Sequence, residues 1–260
     1  MTSGVAALCG LFGLLIGSFL NVVIWRVPRG ESVVRPPSHC PGCDRPIAPR
    51  DNIPVLSWAL LRGRCRHCAT RISARYPAVE LLTALVFVAL AFRFGAHPAL
   101  PAFLYLGAVG VALAFIDYDT KRLPNVLTLP SYPVAIVLLG IATAAGAGVA
   151  HFERALIGMA ALFAFYFLLV LVYPAGMGLG DVKLSGVLGL YLAWVGWGAL
   201  VVGAFFAFLL GGLTGVVLML AGDAGRKTKI PFGPFMIAGA LLGVLVGQQI
   251  AHAYNSFTVG

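Results

Sequence analysis

An all-α polytopic membrane protein, with about eight transmembrane helices and a small cytoplasmic zinc-binding insert between helices 1 and 2, is the fold class the sequence predicts. Three observations carry it. The 260 residues are 60% hydrophobic and only 10% charged, against roughly 25% charged in a soluble domain. Apolar runs near the length that crosses a bilayer, about 20 residues, recur along the chain. The one long polar interruption, 26–76, holds four cysteines in two C-x2-C pairs. The chain therefore divides into a first transmembrane helix (1–25), a four-cysteine insert (26–76) and a seven-helix membrane domain (77–260).

The expected spans lie near 4–24, 77–94, 99–116, 126–147, 155–173, 183–197, 199–220 and 233–251. The first has no basic residue before it and several after it, the reverse of a cleavable signal peptide, so it is read as a retained helix. Residues 182–220 form one nearly continuous apolar stretch. It is split at Trp194-Val195-Gly196-Trp197-Gly198, where Gly and Trp suit an interfacial bend. Gly203-Ala204 and Gly211-Gly212 would allow helices to approach closely.

The net charge is +9, and its distribution argues for topology rather than nucleic-acid binding. The loop 25–76 carries ten of the 18 basic residues: Arg26, Arg29, Arg35, Arg45, Arg50, Arg62, Arg64, Arg66, Arg71 and Arg75. With that loop in the cytoplasm, alternation also places Lys121, Arg122, Lys183, Arg226, Lys227 and Lys229 inside. Only Arg93 and Arg154 fall outside. The N-terminus is then outside, and the basic loops face the anionic lipid of the inner leaflet.

Cys40-x2-Cys43 and Cys65-x2-Cys68 are separated by 21 residues, close to the spacing of four-thiolate zinc sites. Four thiolates complete a tetrahedral shell, so one structural zinc ion is expected and no catalytic metal. A redox pair is the alternative; a reducing cytoplasm disfavours two disulfides. His39 and His67 are read as neighbours of the ligands, and Cys9, alone in the first span, as a small packing residue.

The chain has nine acidic residues, and three of them sit at the edges of apolar spans: Asp117, Asp119 and Asp181. A carboxylate there is costly, which makes it a functional candidate. By the parity of the spans, Asp117 and Asp181 reach the same side of the membrane. Two carboxylates sharing a site do not both ionise easily, and such a pair activates water against an amide. Taken singly, each acid also has a plain reading: Asp117 and Asp119 as interfacial charges near Lys121 and Arg122, Asp181 as a helix cap after a glycine turn. Asp117 and Asp119 point in different directions on a helix, so at most one faces Asp181. Glu80, about a turn into the second span, calls for a polar partner, either an arginine of the insert or a backbone group.

These residues together resemble a family. Asp117 with Pro124-Asn125 seven residues on, and Gly178-Leu179-Gly180-Asp181-Val182-Lys183, are similar to the two signatures of the type IV prepilin peptidases, GxGD-type intramembrane aspartyl proteases. Gly17-Ser18-Phe19-Leu20-Asn21-Val22 with Arg26-Val27-Pro28 resembles the family's first-helix motif. Arg75-Tyr76-Pro77-Ala78-Val79-Glu80 and Ile230-Pro231-Phe232-Gly233-Pro234-Phe235 resemble the entries to its second and last helices. The paired C-x2-C insert matches the larger, zinc-containing bacterial members.

The resemblance implies prepilin or pseudopilin substrates in the bacterial inner membrane, cut after glycine on the cytoplasmic side. It implies catalysis by Asp117 and Asp181, with Gly178, Gly180, Lys183, Pro124 and Glu80 as supporting residues. It also implies N-methylation of the new N-terminus with S-adenosylmethionine as donor, to which no residue is assigned; a peptidase without that activity is the nearest alternative. From a different class, paired membrane acids also suit a proton-coupled transporter, although the chain shows no internal repeat. Zinc, the lipid bilayer and the pilin substrate are the expected partners, and nucleic acid is not.

Overall fold

The computed structural model describes residues 2–174, 176–221 and 230–259. Among these, regular structure is helical: α1 (Thr2–Arg26), α2 (Leu56–Leu60), α3 (Arg75–Phe94), α4 (Leu100–Thr120), α5 (Asn125–Ala142), α6 (Val149–Val172), α7 (Leu179–Val195), α8 (Trp197–Leu220), α9 (Gly233–Leu242) and α10 (Gln248–Val259). Seven helical segments are long and apolar enough to cross a membrane. They are α1, α3, α4, α5, α6, α8, and α9 continued into α10. The remaining expected span, 183–197, corresponds to α7, whose 17 residues rise about 26 Å. Arg226, Lys227 and Lys229 lie outside the described residues.

The chain forms two compact units: residues 1–100 with 107–112, and residues 101–106 with 113–260. In the first, α1 and α3 approach almost backbone to backbone. A Cβ at Gly13 would lie 2.7 Å from the Ala84 Cα, and one at Gly17 would lie 2.6 Å from the Glu80 Cα. Small residues are what let helices come this close where lipid offers no hydrophobic drive between them. Pro77 falls in the first turn of α3, where its missing N–H costs no helical bond.

The second unit is organised around α7, whose side chains are buried from Leu184 through Trp194. Being enclosed by protein rather than lipid, α7 does not need full bilayer length. The α7–α8 break falls within the expected turn, with Gly196 between the helices. Arg154 of α6 closes the far end of α7, donating from Nε to the Ala193 carbonyl (2.5 Å) and from Nη2 to the Trp194 carbonyl (2.7 Å). Those carbonyls would otherwise be orphans of the helix terminus. Of the glycines expected to tighten packing, Gly203 does so: a Cβ there would lie 3.2 Å from the Gly239 carbonyl of α9. Gly212 faces open space.

Candidate active site and metal centre

Asp117 lies in the last turn of α4 and is only 5% exposed, whereas its neighbours Tyr118 and Asp119 are exposed. The helix thus turns one acid of the pair inward. α4 stops at Thr120. Lys121 takes a left-handed φ of +53° and donates its N–H to the Asp117 carbonyl at 2.8 Å. This is the αL cap that glycine usually supplies. The chain then runs through Leu123 to Pro124, whose extended backbone (φ −66°, ψ 129°) starts α5 at Asn125. The proline carbonyl accepts the N–H groups of Leu127 and Thr128.

The Asp117 Oδ2 accepts the N–H of Gly233 at 2.9 Å. Gly233 is the first residue of α9, followed by Pro234. Asp181 lies in the first turn of α7, and its Oδ2 accepts the N–H of Gly178, the residue before that helix, at 3.0 Å. Gly178 has no side chain to cap in return, so only this half of a capping box exists. Both carboxylates therefore sit at helix N-termini, where exposed N–H groups and the helix dipole favour negative charge.

Leu123 joins the two places. A Cβ at Gly180 would lie 3.1 Å from the Leu123 Cβ, and one at Gly233 would lie 3.3 Å from the Leu123 Cδ2 and 2.8 Å from the Asp117 Oδ2. The glycine beside Asp181 and the glycine bonded to Asp117 thus flank one leucine, and the two acids lie within electrostatic reach of each other. Lys183 turns elsewhere: its Nζ donates to the Asn125 Oδ1 at 3.0 Å, and its carbonyl accepts the Tyr132 hydroxyl at 2.6 Å. Both bonds tie α7 to α5. The arrangement suits two carboxylates that share a proton and hold a water between them.

Glu80 belongs to the first unit. It is buried, its Oε2 accepts the Val55 N–H at 2.7 Å, and Ser18 of α1 also hydrogen-bonds to it. The partners are thus a backbone group of the insert and a hydroxyl of α1 rather than an arginine. Val55 has φ +61° and ψ −49°, an uncommon conformation for a β-branched residue, and the bond from Glu80 helps to hold it there.

The insert contains the metal centre. The sulfurs of Cys40, Cys43, Cys65 and Cys68 all lie within 4.8 Å of one another. The Cys40 and Cys68 sulfurs are 3.7 Å apart, close to the ~3.8 Å edge of a tetrahedron with Zn–S bonds of about 2.3 Å. Two knuckles with the same hydrogen bonds supply them. In one, Cys40 donates to the Arg45 carbonyl and accepts from Asp44; in the other, Cys65 donates to the Thr70 carbonyl and accepts from Ala69. Asp44 (φ +57°) and Ala69 (φ +56°) make the same left-handed bend.

Backbone N–H groups of Gly42 and His67 point at the Cys40 and Cys65 sulfurs, at 3.4 and 3.5 Å. Cys68 is drawn down to about 6, first by the Thr70 hydroxyl. The Arg45 N–H pulls Cys43 down, but desolvation and the three neighbouring sulfurs outweigh it and leave it at about 11. Sulfurs this close compete for protons, and a divalent cation is what lets all four ionise. The set fits a structural zinc ion with no open position. His67 is taken by Arg45 (3.1 Å) and His39 lies 3.6 Å from Asp44, so both are neighbours of the cluster.

Fold and sites define a multi-pass α-helical membrane protein with paired acids at helix N-termini and a separate four-cysteine module. Residues 11–94 match the bacterial peptidase A24 N-terminal domain, and residues 103–220 match the type IV leader peptidase family. A prepilin leader peptidase/N-methyltransferase of Aeromonas hydrophila is 40% identical, covering 94% of this chain and 91% of that protein. Proteins of the same description from Myxococcus xanthus (43% identical, 84% of this chain, 65% of that protein) and Bacillus subtilis (34%, 96% and 98%) are similar as well. No solved structure matches. The chain belongs to the type IV leader peptidase family.

Asp117, Asp181, Gly178, Gly180 and Pro124 all meet in this one region of the second unit. Lys183 is beside it but bonded to Asn125, and Glu80 is in the other unit. Sequence reading missed Leu123 and the donor role of Gly233. The Gly233-Pro234 pair is legible as a helix entry, but nothing in it announces that its N–H serves an acid 116 residues away.

Proposed function

We propose that the chain is a membrane aspartyl endopeptidase. It removes the short basic leader of type IV prepilins or pseudopilins after glycine, on the cytoplasmic side of the bacterial inner membrane, and N-methylates the residue so exposed. Family membership supports the reaction class. The observation that supports the residues is the pair Asp117 and Asp181, each accepting an N–H at a helix N-terminus and each within electrostatic reach of the other.

In this reading one carboxyl keeps the shared proton. The other, ionised, takes a proton from water as the water attacks the scissile carbonyl, and the protonated acid donates to the carbonyl oxygen. As the tetrahedral intermediate collapses, a proton passes to the leaving nitrogen. Gly178 leaves room for a substrate backbone, while Gly180 admits Leu123, which keeps the floor of the site apolar. Pro124 and the Lys183–Asn125 bond fix the start of α5 against α7, and Glu80 anchors the insert through Val55.

Residues 1–25 form the first transmembrane helix, 26–76 the four-cysteine insert and 77–260 the peptidase helices. The positive-inside bias puts the N-terminus outside and the insert and both acids at the cytoplasmic face. Zinc on Cys40, Cys43, Cys65 and Cys68 is structural. S-adenosylmethionine would supply the methyl group. No strand–turn–helix glycine cradle for a nucleotide occurs among the described residues, which hold only two isolated β-bridges, so no step is drawn through that donor.

The test is leader removal in proteoliposomes from a prepilin with glycine before the junction, read by mass with S-adenosylmethionine present. Asp117→Ala and Asp181→Ala are each expected to abolish cleavage while leaving expression and zinc content unchanged, and the wild-type product is expected to gain one methyl. Cleavage by either folded variant would remove the assignment of the pair.

A further inference from the structure

The first unit contains a cavity of about 340 Å³ between α1 and the insert. One wall is a single face of α1: Leu15, Ser18, Phe19, Val22 and Arg26. The other is the insert at 33–34, 36–38, 52 and 54. Arg26 is only 8% exposed. Among the described residues its one side-chain hydrogen bond is from Nη1 to the Ser32 carbonyl, at 2.9 Å. A guanidinium has five N–H donors, and a buried charge is costly unless it is paired. Among the described residues no acid lines the cavity. Glu80, behind Ser18, is engaged by the Val55 N–H and by Ser18 itself. The surplus donors of Arg26 therefore call for an oxyanion that no described residue supplies.

The rest of the cavity says what carries that oxyanion. Leu15 and Phe19, 60% and 49% exposed, sit two helical turns and one turn above Val22 on a helix that spans the bilayer. The cavity is therefore continuous with the lipid-facing side of α1. Its charged end lies where α1 leaves the apolar region, beside an insert with ten arginines and three acids between 25 and 76. Anionic lipid concentrates at such a surface. The geometry points to a resident anionic phospholipid, with its phosphate on Arg26, its head group beside Ser38 and Asn52 of the insert, and an acyl chain along Val22, Phe19 and Leu15. A cationic sulfonium such as the methyl donor is disfavoured here, because an arginine faces it and no carboxylate does.

The experiment is native mass spectrometry of the full-length protein released from nanodiscs of phosphatidylglycerol or phosphatidylcholine. Wild type is expected to retain one phosphatidylglycerol per chain. Arg26→Gln should weaken retention roughly tenfold or more, as loss of a charge-assisted pair implies, and Arg26→Lys should weaken it less. Zinc content checks that the insert is folded. Val34→Asp offers a second probe at an exposed rim position, and is expected to weaken retention several-fold by placing like charge beside the phosphate. Equal retention by wild type, Arg26→Gln and Val34→Asp would overturn the proposal. So would equal retention of phosphatidylcholine, or displacement of the lipid by inorganic phosphate or S-adenosylmethionine, either of which would give the cavity to a zwitterionic or soluble ligand.

Discussion

Replacing Gly233 by alanine tests what holds Asp117 at the proposed site. The new methyl would lie 2.8 Å from the Asp117 Oδ2 and 3.2 Å from its Cγ. The first distance falls about 0.6 Å short of the 3.4 Å at which ordinary contact begins. The leucine behind, with Cδ2 at 3.3 Å, gives the methyl no easy retreat. The carboxylate must swing away and lose its 2.9 Å bond from the Gly233 N–H. A hydrogen bond to a charged group contributes about 1.5–3 kcal/mol, which corresponds to roughly 10- to 100-fold in rate if the bond orients the acid for reaction. Folding should weaken as well, by up to about 2.5 kcal/mol, the lost bond less the ~0.5 kcal/mol by which alanine in a helix is favoured over glycine, so the rate is read on preparations that remain folded. The assay is the initial rate of leader removal in proteoliposomes beside thermal unfolding of the same preparation. Gly212→Ala, with nothing within 4 Å of the new methyl, serves as the control. A folded Gly233→Ala that cleaves within about twofold of wild type would refute the view that this N–H sets Asp117.

Other expectations follow from the same contacts. Cys65→Ser should lower bound zinc below one per chain and make 26–76 protease-sensitive, measured by elemental analysis and limited proteolysis. Arg154→Ala leaves the Ala193 and Trp194 carbonyls without their donors. It should destabilise the second unit by about 1–3 kcal/mol in thermal unfolding while zinc content is unchanged. Arg66 grips Asp51 through both carboxylate oxygens (2.7–3.0 Å) and holds its carboxyl below the usual range. That contribution is full above the unfolded pKa of about 3.9 and fades as pH falls through the lower folded value. An NMR titration of Asp51 in the wild type against Arg66→Gln should show its pKa rise in the variant.

What the sequence made legible is what repeats or clusters along the chain. Runs of apolar residues located every long helix, although the α6 start and the α10 end were missed by six and eight residues, and Gly196 between two tryptophans marked the α7–α8 break. The two C-x2-C pairs foretold the sulfur cluster because each pair is local. Helix starts were less legible. α7 begins at Leu179 rather than near 183: its first turn has no apolar period to read, and the bond from the Gly178 N–H to Asp181 helps to start the helix there. Backbone partners left no trace. Gly233 donates to Asp117 and Val55 to Glu80 through N–H groups that every residue except proline carries. The residues alone left Asp117 and Asp119 as a choice between two, and the family resemblance selected Asp117; in the structure Asp117 is the buried one and Asp119 the exposed one.

The twin knuckles around the sulfurs have a consequence for how the chain is made. Each closes through hydrogen bonds spanning only four or five residues, so each forms almost as fast as the chain grows. Joining them means closing one loop of modest length, whose entropic cost rises only slowly with length, and the ion binds two half-shells that already exist. All four sulfurs are available once Cys68 has emerged, while most of the later helices are still to be synthesised. A ribosome-bound fragment ending in the loop after α4 should already hold zinc and resist protease, so that the helices that follow are added to a finished metal-binding platform.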